Sequence, residues 1–242
     1  MRNTRPLRAV SLCVGLALFL SGCTGGAGTQ SFYGQILNTS IASISAKRAD
    51  KVEQPVVTRA VLNEVEEPYI QVTRERADIS AYLFASAIRQ DDLPGNIVQW
   101  RAEDDVTVTM RNGVLIATRG LGGDLMSAKV PVAPGQAGPA ASGERIYYVR
   151  TGDLEERAIF MACDLVDLGP ETIEIVELRY ATRHLQERCV TPDGDRPPGA
   201  LRRGEGRIVN DYWIDQRAGI VWKSRQWAGP HIGYLGISQL TE

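Results

Sequence analysis

Hydrophobic positions along the chain follow two periods, a helical one near the N-terminus and an alternating one thereafter. From Gln30 to Arg48, the residues Tyr33, Ile36, Leu37, Ile41 and Ile44 recur at helical spacing and predict a helix. Thr58 is a fitting N-cap for a second, short helix reaching Val65. Beyond it the pattern turns to strands. Ala81 to Arg89 carries Tyr82, Phe84 and Ile88 on one face, and Asn96 to Ala102 follows. Asp105 to Arg111 alternates, with Val106, Val108 and Met110 on one side and Thr107 and Thr109 on the other. Asn112-Gly113 then suits a type I′ turn, because both residues tolerate positive φ, and Val114 to Arg119 returns. Further strands are expected at Arg145 to Arg150, Glu156 to Asp164 and Thr172 to Thr182. A second hairpin joins Arg207–Ile214 to Ile220–Trp227 around Asp215 to Gly219, and Ile232 to Leu240 closes the chain. Pro131 to Gly143 and Pro192 to Gly206, rich in Pro and Gly, read as loops, the first as a mobile one. About ten short strands with few helices imply a mainly β fold: an antiparallel β-sandwich or partly open β-barrel with one or two N-terminal helices.

The first residues carry a different signal. Arg2, Arg5 and Arg8 precede the short apolar run Val10 to Leu20, which is too short to span a bilayer of about 30 Å as a helix. Leu20-Ser21-Gly22-Cys23 follows at once and resembles a lipobox. Residues 1–22 are then a cleaved lipoprotein signal peptide, and Cys23 takes a thioether-linked diacylglycerol. Several acyl chains, at about 0.8 kcal/mol per buried CH₂, hold a protein at a membrane where one chain would not. Thr24 in place of Asp after the lipid site favours the outer membrane, facing the periplasm. Cys23 to Thr29 forms a lipidated, flexible tether, and residues 30–242 make a single mainly-β domain.

Charge and cysteine usage agree with export. The formal net charge is −2, and removing the three leader arginines takes it to −5, which has no electrostatic pull on nucleic acid. Of four cysteines, Cys13 leaves with the leader and Cys23 is acylated. Cys163 and Cys189 remain as an even pair in an oxidising compartment. A disulfide between them would stabilise the fold by roughly 3–4 kcal/mol in the chain-entropy view; two reduced buried cysteines are the alternative. No C-x-x-C occurs and His184 and His231 are the only histidines, so neither a metal site nor a cofactor is expected.

The last hairpin carries a family pattern. Asn210-Asp211-Tyr212-Trp213-Ile214-Asp215 followed by Gly219-Ile220-Val221-Trp222-Lys223-Ser224-Arg225-Gln226 resembles the N-x-Y-W-x-D…G-x-x-W-x-S-x-Q signature of the YjbF/GfcB family, the group 4 capsule polysaccharide lipoproteins. Thr118-Arg119-Gly120-Leu121-Gly122-Gly123-Asp124-Leu125, Tyr148-Val149-Arg150 and Pro68-Tyr69-Ile70 are similar to weaker elements of the same family, in the same order. The resemblance implies a periplasm-facing, antiparallel β lipoprotein linked to capsule or exopolysaccharide production, with no catalytic residues to carry over. The Pro131–Gly143 and Pro192–Arg203 segments depart from the family pattern as insertions.

Candidate chemistry is thin. By alternation Asn210, Tyr212 and Ile214 share one face, and Trp222, Ser224 and Gln226 share one on the next strand; either Asn210, Ser224 and Gln226 form a satisfied buried network, or they join Tyr212, Trp213, Trp222 and Trp227, as aromatic platforms for sugar faces, in a surface for a saccharide or protein partner. Thr118 to Leu125 reads as a tight turn into a short helix with Asp124 as a cap; a backbone-amide nest for an anion is the functional alternative. Asp211 and Asp215 are the carboxylates a carbohydrate-active enzyme would use, although Asp215 also suits a hairpin turn. Arg196, Arg202, Arg203 and Arg207 form a small basic patch. The expected partners are the membrane, through the lipid, and a polysaccharide or an export component. The expected role is non-catalytic assistance to polymer assembly or export, with a general envelope structural lipoprotein as the other reading.

Overall fold

A computed structural model describes residues 57–151, 155–191 and 206–241. The leader, Cys23, the expected Gln30–Arg48 helix and residues 192–205 of the expected second loop, with Arg196, Arg202 and Arg203, lie outside them. One helical turn, α1 (Arg59–Leu62), precedes twelve strands: β1 (Tyr69–Arg74), β2 (Ile79–Arg89), β3 (Ile97–Arg101), β4 (Thr107–Arg111), β5 (Val114–Arg119), β6 (Leu125–Lys129), β7 (Ser142–Thr151), β8 (Glu155–Ile175), β9 (Leu178–Val190), β10 (Arg207–Asp215), β11 (Ile220–Trp227) and β12 (Tyr234–Gln239). Thr58 caps α1, its hydroxyl accepting from Val61 N, but the helix stops at Asn63 and not at Val65. Glu64, Glu66, Glu67 and Pro68 follow, and acids at a helix C-terminus oppose its dipole.

All strand pairs are antiparallel. Their order, β5-β4-β3-β2-β1-β12-β11-β10-β9-β8-β7-β6, is an up-and-down meander in which the last strand pairs with the first. The sheet is therefore a nearly closed barrel with one seam, between β5 and β6. Twenty-four buried residues form the main core, drawn from the inward positions of both halves of the meander: Ile70, Leu83, Val108, Val149, Met161 and Leu235 are typical. The Asn112-Gly113 turn has φ of 51° and 80°, as expected for type I′.

Three expectations fail here. The β5–β6 turn leads into a strand, not a short helix. Its acid, Asp124, accepts from Gly120 N, Leu121 N and Thr118 Oγ1, and Leu125 N donates to Thr118 Oγ1, so the turn is closed by its own side chains. The segment read as a mobile loop is packed: Ala137, Gly138 and Pro139 are buried, Gly138 N donates to Asn112 O at 2.9 Å, and Ala140 N to Pro131 O. Gly138 has a φ of 83° and a Cβ there would stand 2.5 Å from Ile214 Cδ1, so conformation and close approach both favour glycine. Thr172 to Thr182 is not one strand but the tip of the long β8–β9 hairpin, turning at Val176-Glu177.

Both turn residues have positive φ, 42° and 67°, which is strained for a β-branched valine. A distant side chain holds the tip. Arg59 of α1 donates to the carbonyls of Ile175 (3.2 Å), Val176 (3.2 Å) and Leu240 (2.9 Å). Val57, Leu62, Tyr82, Ile173, Ile175, Trp222 and Leu240 bury one another beneath it, on the face of β2 opposite the main core. Replacing Arg59 by Met should cost about 1.5–3 kcal/mol, since three carbonyls lose a charged donor. Urea unfolding measures the loss, and native-state amide exchange should quicken at Ile173–Tyr180 well before β7.

Candidate functional site

The pleat of β10 sends Ile208, Asn210, Tyr212 and Ile214 inward, and all four are buried. Their neighbours on β9 in register are Cys189, Glu187, Leu185 and Arg183. Two charges therefore meet inside the barrel. Glu187 and Arg145, from β9 and β7, are each 1% exposed and form a buried ion pair through one carboxylate oxygen, Oε1. The other oxygen, Oε2, accepts from Asn210 Nδ2 at 2.9 Å and lies 3.4 Å from the Tyr212 hydroxyl. That hydroxyl also reaches Gln226 Oε1 at 3.2 Å. Gln226 carries the network across the barrel to the seam strand: its Oε1 accepts from Leu115 N (2.8 Å), and its Nε2 donates to Gly113 O and Ser224 Oγ (2.9 Å each). Asn210 Oδ1 accepts from Trp227 N at 2.8 Å.

Asn210, Tyr212, Ser224 and Gln226 thus form one buried network and not a surface. The aromatic residues are committed as well. Trp227 is buried and meets Tyr147 edge to face at 5.2 Å. Trp222 is buried and stacks on Tyr180 at 3.8 Å. It does not share the Ser224 and Gln226 face, because the β10–β11 ladder slips between Trp213 and Ile214 and leaves Trp222 as the extra residue. Trp213 is half-buried on the outer face, between His184 and Lys223, its direct cross-strand neighbours. His184 stacks on it at 4.4 Å and Lys223 Nζ lies 5.0 Å from its ring centre.

His184 links two carboxylates, Asp211 through Nε2 (2.9 Å) and Glu171 through Nδ1 (3.1 Å), and Gln186 Nε2 also donates to Asp211. Asp215 is spent on its turn, accepting from Arg217 N and Ala218 N. The amides at Gly120 and Leu121, candidates for an anion nest, hold Asp124. Cys163 and Cys189 face each other across β8 and β9 and are joined by a disulfide, Cα–Cα 4.0 Å. Their sulfurs lie close to the Glu187 carboxylate, but a disulfide offers no thiolate to a metal and Glu187 is already paired.

Sequence reading passed over Arg145 and Glu187. Their signal was a charge at an inward position of an alternating strand, Arg145-x-Tyr147-x-Val149 and Leu185-x-Glu187-x-Cys189, where an apolar residue is the norm.

Two outcomes follow from the network. Glu187→Gln leaves Arg145 buried without a counter-charge and should cost about 3–5 kcal/mol in urea unfolding; adding Arg145→Met should recover part of that loss. A neutral single variant would show that the pair does not support the fold. The second concerns base. Burial pushes the Tyr147 phenol up to about 12 and that of Tyr212 well above its ordinary value. The folded protein then keeps protons that the unfolded chain loses from about pH 10 upward, so stability should fall as pH rises from about 10 toward 12. Urea midpoints against pH should show that fall, and Tyr147→Phe should lessen it.

The whole-chain architecture has a counterpart among solved structures. The hypothetical lipoprotein YmcC from Escherichia coli (K12) superimposes with a TM-score of 0.60 at 18% identity, over 77% of this chain and 89% of that one, a likeness of fold. No curated protein matches. The family described as "Group 4 capsule polysaccharide lipoprotein gfcB, YjbF" matches residues 35–240. With the barrel, the hairpin pattern and this match in agreement, the chain belongs to the YjbF/GfcB family of group 4 capsule polysaccharide lipoproteins.

Proposed function

We propose that this chain assists the assembly or export of a capsule or exopolysaccharide, without catalysing bond-making or bond-breaking. It does so anchored by lipid on Cys23 in the outer membrane and facing the periplasm. The family match supports the pathway. The mechanism is supported by one observation above all: among the described residues, the candidate groups for gripping or cutting a sugar are already engaged within the fold. Trp213 has an imidazole and an ammonium against its ring, Asp211 has His184 and Gln186, and Asp215 has its own turn amides. A protein arranged in this way acts by surface contact with polymer or with an export component. The basic n-region and Leu20-Ser21-Gly22-Cys23 support the anchor.

The test pairs cells with purified protein. Cells carrying Cys23→Ala should accumulate unlabelled, uncleaved precursor and show less polymer at the surface than inside. Incubating the purified domain with that polymer should release no new reducing ends. New reducing ends would replace this reading with an enzymatic one, and normal lipid labelling of the Cys23→Ala variant would remove the anchor.

A further inference from the structure

One end of the barrel is hollow. Where the β2–β3, β4–β5 and β10–β11 turns converge, a cavity of about 390 Å³ runs inward. Its wall is chiefly Ala85, Val98, Trp100, Met110, Val221 and Ile237, and among the described residues no charged side chain lines it. Apolar surface left open in this way costs free energy that an apolar occupant would recover. A saccharide is not that occupant, because each sugar unit brings several hydroxyls that need partners.

The N-terminal part of the chain arrives beside this opening. Val57, the first described residue, is buried with Leu62, Tyr82, Trp222 and Leu240 in the cluster on the outer face of β2. Ile220 packs against that cluster and also lines the hollow. Pro68 and Gln239, which line the hollow too, are the sequence neighbours of Tyr69 and Leu240 in the same cluster. Arg59 fixes this entry point through its bonds to Leu240 O and to the β8–β9 tip. Upstream, outside the described residues, lies a segment with an apolar stripe of its own. In Gln30–Arg48, the residues Tyr33, Ile36, Leu37, Ile41 and Ile44 fall on one face of a helix, and Gln35, Asn38, Thr39 and Ser43 on the other. Such a helix is stable in water only when its stripe is buried. Eight residues, 49–56, join it to Val57, and fully extended they reach roughly 27 Å.

We propose that the Gln30–Arg48 segment folds as an amphipathic helix across this end of the barrel, its apolar stripe on the hollow and its polar face in water. The wall is apolar and uncharged, as the stripe requires. The point where the segment joins the barrel shares Ile220 with the hollow, and the connection is short. Tethering also favours this occupant over a free ligand. A short linker holds the helix at an effective concentration on the order of millimolar, which an unbound hydrocarbon would have to match. Ile88, which lines the hollow and is exposed at its rim, then becomes a contact of the helix. The proposal depends neither on the capsule role nor on lipid at Cys23, and it can fail without either.

The test is photo-cross-linking of the full chain in living cells. The photoreactive residue p-benzoylphenylalanine replaces Ile88, or in a control Phe160, which is exposed on the outer face of β8. Irradiation should join position 88 to a peptide within residues 33–44 of the same chain, read by mass spectrometry of the monomer band; position 160 should give no such product. Ile41→Asp combined with Ile44→Asp should reduce the cross-link at least tenfold. Asn38→Asp combined with Ser43→Asp, on the polar face, should leave it unchanged. Formation of the Cys163–Cys189 disulfide, read on a non-reducing gel, checks that each variant has folded. Absence of the 33–44 product overturns the proposal, as does capture of lipid, of another protein or of a second copy in its place. So does a cross-link that survives the paired Ile41 and Ile44 substitutions at the parent's yield.

Discussion

A ring of strands broken at one place leaves the backbone groups of two edges to be satisfied, and this protein meets that requirement at both ends of β5 with side chains. The seam lies between β5 and β6, consecutive strands that sit at opposite ends of the ladder order. At the start of β5, the Gln226 amide takes the N–H of Leu115 and the carbonyl of Gly113, as a neighbouring strand would. At its other end, Thr118 and Asp124 bind the amides of the turn and of Leu125. An amide side chain placed deep in a core must itself be oriented and satisfied. Ser224 and Tyr212 do this, Tyr212 lies against Glu187, and Glu187 needs Arg145. The buried charge pair is thus the far end of a chain of requirements that begins with an open edge.

The outer face shows a second constraint. A hairpin as long as β8–β9 projects beyond its neighbours and would expose Ile173, Ile175 and Tyr180 at its tip. The chain covers them with α1, Tyr82 and Trp222, and fixes the strained Val176-Glu177 turn with Arg59. The bulge that turns Trp222 out of the inward row belongs to this arrangement: without it Trp222 would crowd the Gln226 network, and the tip would lose its stacking partner. Position and chemistry are coupled here through a single irregular register.

Much of this was legible in the residues, and what was not has identifiable reasons. The Asn112-Gly113 hairpin, the β10–β11 hairpin and the Cys163–Cys189 pair follow from local turn chemistry and from cysteine usage. The alternation of β10 placed Asn210 and Tyr212 on one face, and the satisfied-network reading of Asn210, Ser224 and Gln226 describes them well. Trp222 was misplaced because alternation cannot register a bulge. The β8–β9 turn was invisible because Val176 and Glu177 carry no turn signal; their conformation is imposed by an arginine well over a hundred residues away in sequence. The Pro131–Gly143 segment looked mobile by composition, yet its small residues are what allow it to pack against Ile214. In this fold glycine marks close approach as often as freedom.

The inner volume divides by chemistry as well as by position. The side facing β7, β9 and β10 is filled with paired charge and amide, Arg145 with Glu187 and Glu187 with Asn210 and Tyr212. The hollow between β2–β4 and β11–β12 is apolar, walled by Ala85, Val98, Trp100, Met110 and Ile237. Ser224 sits where the two meet: it accepts from Gln226 on the network side and lines the cavity on the other. The network is therefore also one wall of the cavity, and a side chain whose role is to complete a sheet edge simultaneously sets the polarity limit of the space beside it. A substitution that disturbs Gln226 should thus be felt at the seam first and in the cavity second. The residues most specific to the family pattern thus divide the interior: Asn210, Tyr212 and Gln226 hold the network, while Gly219, Val221 and Ser224 border the hollow beside it.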